Sequence, residues 1–370
     1  MKKLLLIALA AVLVVAFCAP AMAATKKVSF YGDIRYNTYW VTADEDYYAN
    51  GLGDDDSDLQ WIPDWADSRF GARFSEGPIS ANVELRPVSA SIFRQWWGQW
   101  DFGPAQLLIG HTYVPGCLAP SMSQADSENA VVFGNFMDRL RTSQIRLTVP
   151  FSMGSFVIAA LDNPANDPEW AGAGPPANYD TDVSMPEIEA RLTLKIAPAQ
   201  IDLVGGFATF DAVDKSTEDS ENISSNILAV RVVVPFGPLY VKGLYVQMKN
   251  PGNWGDLSST TLQFTKMRFD TTTGQTEDSD YTCFGGLVGF KINDMVTAEA
   301  GYFQQKTERY LQEEDTNGTY YVMAAITPIK GVTIYPEFAV QNFDDFTDAA
   351  GVTTEEGKKT FLGAYWKIAF

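Results

Sequence analysis

The chain has 370 residues, is 46% hydrophobic and 13% aromatic, and carries a formal net charge of −19. So much apolar content excludes a disordered chain, and so acidic a balance excludes nucleic acid as a partner. A single histidine, His111, excludes sites built from several imidazole ligands.

Met1-Lys2-Lys3 is a basic start, residues 4–17 are an apolar core and Ala21-Met22-Ala23 is a small-residue cleavage motif. Residues 1–23 are therefore expected to be an export signal and residues 24–370 a single domain. Phe17 stands where lipoprotein processing at Cys18 would want a small residue. Loss of Lys2 and Lys3 with the signal takes the net charge from −19 to −21. Cys117 and Cys283 then remain, compatible with one disulfide or with two buried thiols. No run beyond the signal approaches the ~18 apolar residues of a spanning helix.

From residue 28 the apolar pattern has period two. In VSFYGDIRYNTYW, Phe30, Gly32, Ile34, Tyr36 and Trp40 share one face, and Ser29, Asp33, Arg35 and Asn37 the other. An acidic loop spanning about 41–66 precedes SRFGARF, where Arg69 and Arg73 oppose Phe70, Ala72 and Phe74. A turn at Glu76-Gly77-Pro78 leads to ISANVELR, where Asn82, Glu84 and Arg86 oppose Ala81, Val83 and Leu85. After a short link comes FRQWWGQWDFG, in which Trp96 and Trp97 leave the face of Arg94 open, and Gly103-Pro104 turns the chain into QLLIGHTY.

Residues 113–140, YVPGCLAPSMSQADSENAVVFGNFMDRL, break the pattern. They carry two acids, Asp126 and Glu128, and then Val131, Val132, Phe133, Phe136 and Met137. An exposed loop has no use for that apolar content; one folded inside an enclosure does. Alternation resumes in TSQIRLTV, where Gln144 and Arg146 oppose Ile145 and Leu147. It continues through PEIEARLTLKI, VTAEAGYFQQK and VTIYPEFAVQNF, with long loops at about 162–185, 211–224, 249–280 and 344–357. In the last run, KKTFLGAYWKIAF, Leu362, Ala364, Trp366, Ile368 and Phe370 share a face.

About sixteen antiparallel strands result, joined alternately by tight turns and long loops. That pattern, with one apolar face throughout, describes an all-β transmembrane barrel. Lipid offers no hydrogen bonds to an open sheet edge, so the sheet must close. An exported soluble sandwich alternates too, but aromatic residues at strand ends, such as Tyr39, Trp40, Phe70 and Phe361, read as the girdles of a barrel.

In its opening strand, the FRQWWGQWDFGPAQLLIGHTYVPG hairpin, the long third loop and the terminal Phe370, the chain resembles the general diffusion porins, trimeric sixteen-stranded barrels of the Gram-negative outer membrane. The resemblance implies a water-filled channel for passive diffusion of small hydrophilic solutes and ions, with the third loop folded into the lumen, and not an enzyme. It implies a homotrimer among outer-membrane lipid and lipopolysaccharide, and Phe370 as the signal read by the barrel assembly machinery. Asp126 and Glu128, with Asp138 at the loop's exit, map onto loop acids that face a wall of arginines across a constriction. Arg35, Arg69, Arg73, Arg86, Arg94 and Arg146 are the wall candidates, since arginine keeps its charge at any relevant pH. The second loop is shorter than the family's, and His111 stands where arginine is common. No catalytic, metal or cofactor site is expected, because no nucleophile motif accompanies His111. Acidic loops imply a mild cation preference. A surface of Trp96, Trp97 and Trp100 would instead suit sugars in a substrate-selective channel, and a barrel without an open lumen would be an enzyme or adhesin.

Overall fold

In a computed structural model, the described residues are 26–44, 56–87, 92–128, 130–133, 141–171, 178–218, 220–254, 266–270, 273, 275–309, 314–347 and 353–370. The expected signal and Asp138 lie outside them. Eighteen hydrogen-bonded segments form one sheet. Two pairs of consecutive segments are halves of one broken strand: Asp56–Pro63 and Arg69–Glu76 lie along the same neighbour, and so do Tyr179–Asp182 and Glu187–Ile196. Merging each pair leaves sixteen staves.

They are β1 (Lys27–Ala43), β2 (Asp56–Pro63 with Arg69–Glu76), β3 (Ile79–Leu85), β4 (Phe93–Asp101), β5 (Gln106–Tyr113) and β6 (Arg141–Phe151). Then follow β7 (Gly154–Leu161), β8 (Tyr179–Asp182 with Glu187–Ile196), β9 (Ala199–Asp214), β10 (Ser220–Phe236) and β11 (Leu239–Lys249). The rest are β12 (Ser279–Lys291), β13 (Val296–Arg309), β14 (Asp315–Ile329), β15 (Val332–Phe343) and β16 (Lys358–Ala369). Each pairs antiparallel with its sequence neighbours, and β16 returns to β1 from Asp33↔Ala369 to Ala43↔Lys359. The closed ladder leaves no edge to satisfy.

Side-chain alternation sorts the wall as the pattern requires. Phe30, Ile34, Phe70, Ile109, Val322 and Ile368 are exposed on the outside. Asp33, Arg35, Asn37, Glu84, Gln144 and Glu337 are buried on the inside. The outer face suits hydrocarbon and the inner face suits water and a polar loop.

Two expectations need correction, and one phase that the sequence left open is resolved. The acidic loop placed at 41–66 is partly strand: β1 runs on to Ala43, and Asp56–Pro63 pairs with it as the upper half of β2. The aspartates hid an alternation in which Leu59 and Trp61 point outward. Strand pairing also extends past the expected bounds of the 211–224 loop, where Asn222 donates to Asp211 at 2.7 Å across the ladder. Ladders that rise beyond the apolar belt have no reason to alternate, so the pattern fades before the strand does. Finally, β4 carries a bulge. Glu84 pairs with Gln95 and Leu85 with Phe93, which leaves Arg94 as an extra residue. The bulge turns Arg94 and Gln95 both inward, and this is why the phase around Trp96 could not be read.

The interior is not uniformly polar. Inward residues of β9 to β16, among them Val204, Ala229, Leu244, Val246, Met323 and Phe361, form one buried apolar cluster with Leu118, Ala125, Val131, Val132 and Phe133 of the third loop. The loop is thus packed onto one side of the wall by apolar contact.

Candidate functional site

A backbone buried inside a barrel needs a partner for every polar group it takes from water. The third loop meets that need by walking round the inner wall, where side chains of successive staves reach its backbone. At its start, Arg146 on β6 donates to the Tyr113 carbonyl at 3.1 Å. The Gly116 N–H bonds to Glu189 on β8. Arg231 on β10 donates to the Ala119 carbonyl (3.3 Å) and Lys242 on β11 to the Pro120 carbonyl (3.2 Å). Glu299 on β13 accepts the Met122 N–H at 2.7 Å. Glu337 on β15 accepts three bonds: Ser123 Oγ at 2.5 Å, Gln124 N–H at 2.7 Å and Ala125 N–H at 3.0 Å. Asn37 on β1 then donates to the Asp126 carbonyl at 3.4 Å. Bases meet carbonyls and acids meet N–H groups, in stave order.

At the tip the wall is β1, β2 and β4. Glu128 pairs with Arg35 at 2.9 Å and Arg69 at 3.0 Å, with Arg94 at 3.9 Å. The interruption in β2 between Pro63 and Arg69 turns two further carboxylates inward. Asp67 accepts from Ser127 Oγ (2.6 Å), from the Glu128 N–H (3.2 Å) and from Arg94 (2.8 Å). Asp64 accepts from the Tyr365 hydroxyl of β16 at 2.6 Å. The chain then doubles back, and Thr319 and Gln341 donate to the Val131 carbonyl at 2.6 and 3.3 Å. Phe133 meets Phe343 edge to face, centroids 6.0 Å apart.

Of the wall candidates, Arg35, Arg69 and Arg94 thus gather at Glu128. The other three lie elsewhere: Arg73 stacks over Tyr31 (4.5 Å to the ring centroid), Arg86 sits just past β3 with its N–H on the Ile92 carbonyl, and Arg146 is at the loop's base. Asp126 is exposed, in the left-handed region at φ 64°. The expected gap between loop acids and arginines is absent at Glu128, whose carboxylate is in contact with the guanidinium groups. Partial desolvation is the reason: a half-buried carboxylate inside the barrel is favoured against a cation. Burial pushes the Glu128 carboxyl up, but Arg35 and Arg69 hold it below its ordinary value.

The tryptophans do not form one surface. Trp96 is exposed on the outer face against Phe93, and Trp100 pairs with outward Ile79, while Trp97 turns inward to donate to Gln95 at 3.1 Å. Adjacent residues on a strand face opposite ways, which splits the cluster. Cys117 and Cys283 are not joined by a disulfide; burial pushes the Cys117 thiol up to about 12. Phe370 exchanges backbone bonds with Gly32 at 2.9 and 3.1 Å, and its ring lies over that glycine.

Sequence reading missed Glu189, Glu299 and Glu337 as loop partners. The signal was present: Glu299 stands between two alanines in VTAEAGYF, and Glu337 in an otherwise apolar and aromatic run, IYPEFAV. An isolated acid on a lumen-facing position needs a donor opposite it. Asp64 and Asp67 were missed because they lie in or beside the stretch read as an acidic loop, where Pro63 marks a break but not the strand it interrupts.

A closed barrel with an apolar exterior, a charged inner face and a loop seated inside defines an outer-membrane channel. The sequence profile of Gram-negative porins matches residues 8–346, and the chain belongs to that family. No curated protein matches the sequence. Among solved structures, the outer-membrane channel DcaP of Acinetobacter baumannii superposes with a TM-score of 0.66 at 14% identity, covering 93% of this chain and 97% of its own. A loop-deletion mutant of OmpT, an outer-membrane protein of Vibrio cholerae, gives 0.61 at 11% identity, covering 93% and 99%. The anion-selective porin from Comamonas acidovorans gives 0.59 at 14% identity, covering 94% and 100%.

Proposed function

We propose that the protein passes small hydrophilic solutes and ions by passive diffusion, with a mild preference for cations. One observation carries the reading: the third loop is seated inside the closed barrel on side chains of the inner wall, and Asp126 at its tip is exposed there. The path runs through the barrel past the tip of that loop. Glu128 with Arg35, Arg69 and Arg94 fixes the tip, Arg73, Arg86 and Arg146 set the field on the wall, and Asp126 and Asp138 are the acids that solutes meet. A mature charge of −21, once Lys2 and Lys3 leave the −19 chain with a cleaved signal, concentrates cations at the mouth. In the membrane the protein is a homotrimer in contact with lipopolysaccharide, delivered through the assembly machinery by way of Phe370.

A second reading, anion preference, is favoured by Arg141, Arg146 and Arg191. Each has a buried guanidinium nitrogen with no partner among the described residues. Planar-bilayer recordings in a salt gradient decide between the two. A reversal potential of cation sign supports the first, and a clear anion sign replaces it with the second. Purified, folded protein that never conducts would overturn both in favour of a closed barrel acting as enzyme or adhesin.

A further inference from the structure

A second segment enters the barrel next to the third loop. Past the long-loop end of β11 the chain turns inward, and Asn250, Pro251, Gly252, Asn253 and Trp254 are all buried. The turn is fastened to its surroundings by amides. Asn250, at φ 49°, donates its N–H to the Ser279 carbonyl at 2.7 Å and accepts the Ser279 N–H on its side chain at 2.8 Å. Its side-chain amide reaches the Ser224 carbonyl at 2.9 Å and Asp278 at 2.8 Å, and Ser225 Oγ donates to the Asn250 carbonyl at 3.0 Å. Asn253 donates to the Asn166 carbonyl at 2.8 Å and accepts the Met267 N–H at 2.7 Å. Such a network leaves the turn one conformation.

That conformation drives Trp254 down to Gly206 of β9. Gly206 faces inward between Val204 and Ala208, and a Cβ there would lie 2.5 Å from the indole and 2.9 Å from Ile227. The missing side chain is the notch the indole fills. Immediately beside it, Gly116 of the third loop lies against Val204: a Cβ on Gly116 would stand 3.2 Å from Val204 Cγ1. The two places are joined again through Glu189, which pairs with Gly206 across the ladder and accepts the Gly116 N–H. Two glycines thus admit a loop backbone and an indole side by side at one seam.

We propose that Trp254 is a stopper. It closes the seam between the third loop and the β9–β10 wall, so that solutes are confined to the charged path on the far side of the loop. It is a selectivity-determining residue that never touches the solute, and this role rests on the channel reading above. Without it, water enters behind the loop along Glu189 and the turn's amides, since a cavity with polar lining and room for water hydrates.

The test is single-channel conductance and reversal potential for the wild type, Trp254→Ser, Trp254→Ser with Gly206→Phe, and Gly206→Ala alone. Trp254→Ser is expected to raise conductance roughly 1.5-fold and to bring the reversal potential closer to zero, because the leak bypasses Asp126 and the charged path that sets the preference. Phe at position 206 refills the notch from the other side and should restore both values. Gly206→Ala keeps the indole but pushes on it, and is expected to raise conductance roughly 1.2-fold. It also decides the matter if the serine variant does not fold. A wild type that conducts and variants that match it in conductance and selectivity overturn the stopper alone. A silent wild type overturns the channel reading with it.

Discussion

At Glu128 two effects compete, and the arginines win. Burial disfavours the charged carboxylate, but Arg35 at 2.9 Å and Arg69 at 3.0 Å favour it more, so the carboxyl titrates below its ordinary value. The sign follows for the loop's seat. A carboxyl depressed in the folded state contributes its full stabilisation above the unfolded value, about 4.3 for glutamate, and loses it as the pH falls through the lower folded value. Hydrogen-exchange protection of the loop tip should therefore stay level from neutral pH to about 4.3 and fall only below it. Glu128→Gln should remove that acid step and weaken the tip by about 1–3 kcal/mol, since it leaves guanidinium groups without their acceptor.

Among its described residues the third loop holds no regular element, yet its backbone there is held in place by residues of the staves it passes. The anchors are unequal. Glu337→Ala leaves Ser123 Oγ and two N–H groups without an acceptor, and each buried donor so stranded costs about 1–3 kcal/mol. Asn37→Ala removes one bond of 3.4 Å and should cost under about 1 kcal/mol. Limited proteolysis within the loop, with open-channel noise as a second readout, should rank the two variants in that order. Equal behaviour would mean that apolar packing of Val131 to Phe133 holds the loop by itself. This is also where sequence reading reached its limit. The alternation of β1 and β16 announced their faces, because both cross the apolar belt with one side in lipid. The loop's enclosed character was legible in Val131, Val132 and Phe133. Its route was not, because the anchors lie on strands far apart in sequence, and the inward turn of Arg94 depends on a bulge that no local pattern marks.

Over the whole molecule, the closed wall divides substitutions by face. Ile109, midway along β5 and 58% exposed, should tolerate lysine poorly, at about 2–4 kcal/mol for a charge near the bilayer midplane. Lysine at the inward Gln144 of β6 should cost less in the same urea titration of refolding into bilayers, because the carbonyls of Thr112, Tyr113 and Thr142 are at hand as acceptors. Equal costs would mean that the outer face does not meet hydrocarbon.

The order in which the third loop meets the staves has a consequence for how the protein is made. Its anchors include Asn37 and Arg35 on the first strand, Glu337 on the fifteenth, and Asp64, which is tied to Tyr365 on the last. The set as a whole is not complete until the two ends of the chain have met. The loop is a drawstring across the closing joint: it tightens only on a finished cylinder, and a cylinder that fails to close should leave it slack and open to proteases. A third loop resistant to a protease of broad specificity would then mark, in a pulse-chase experiment, the moment at which β16 finds β1.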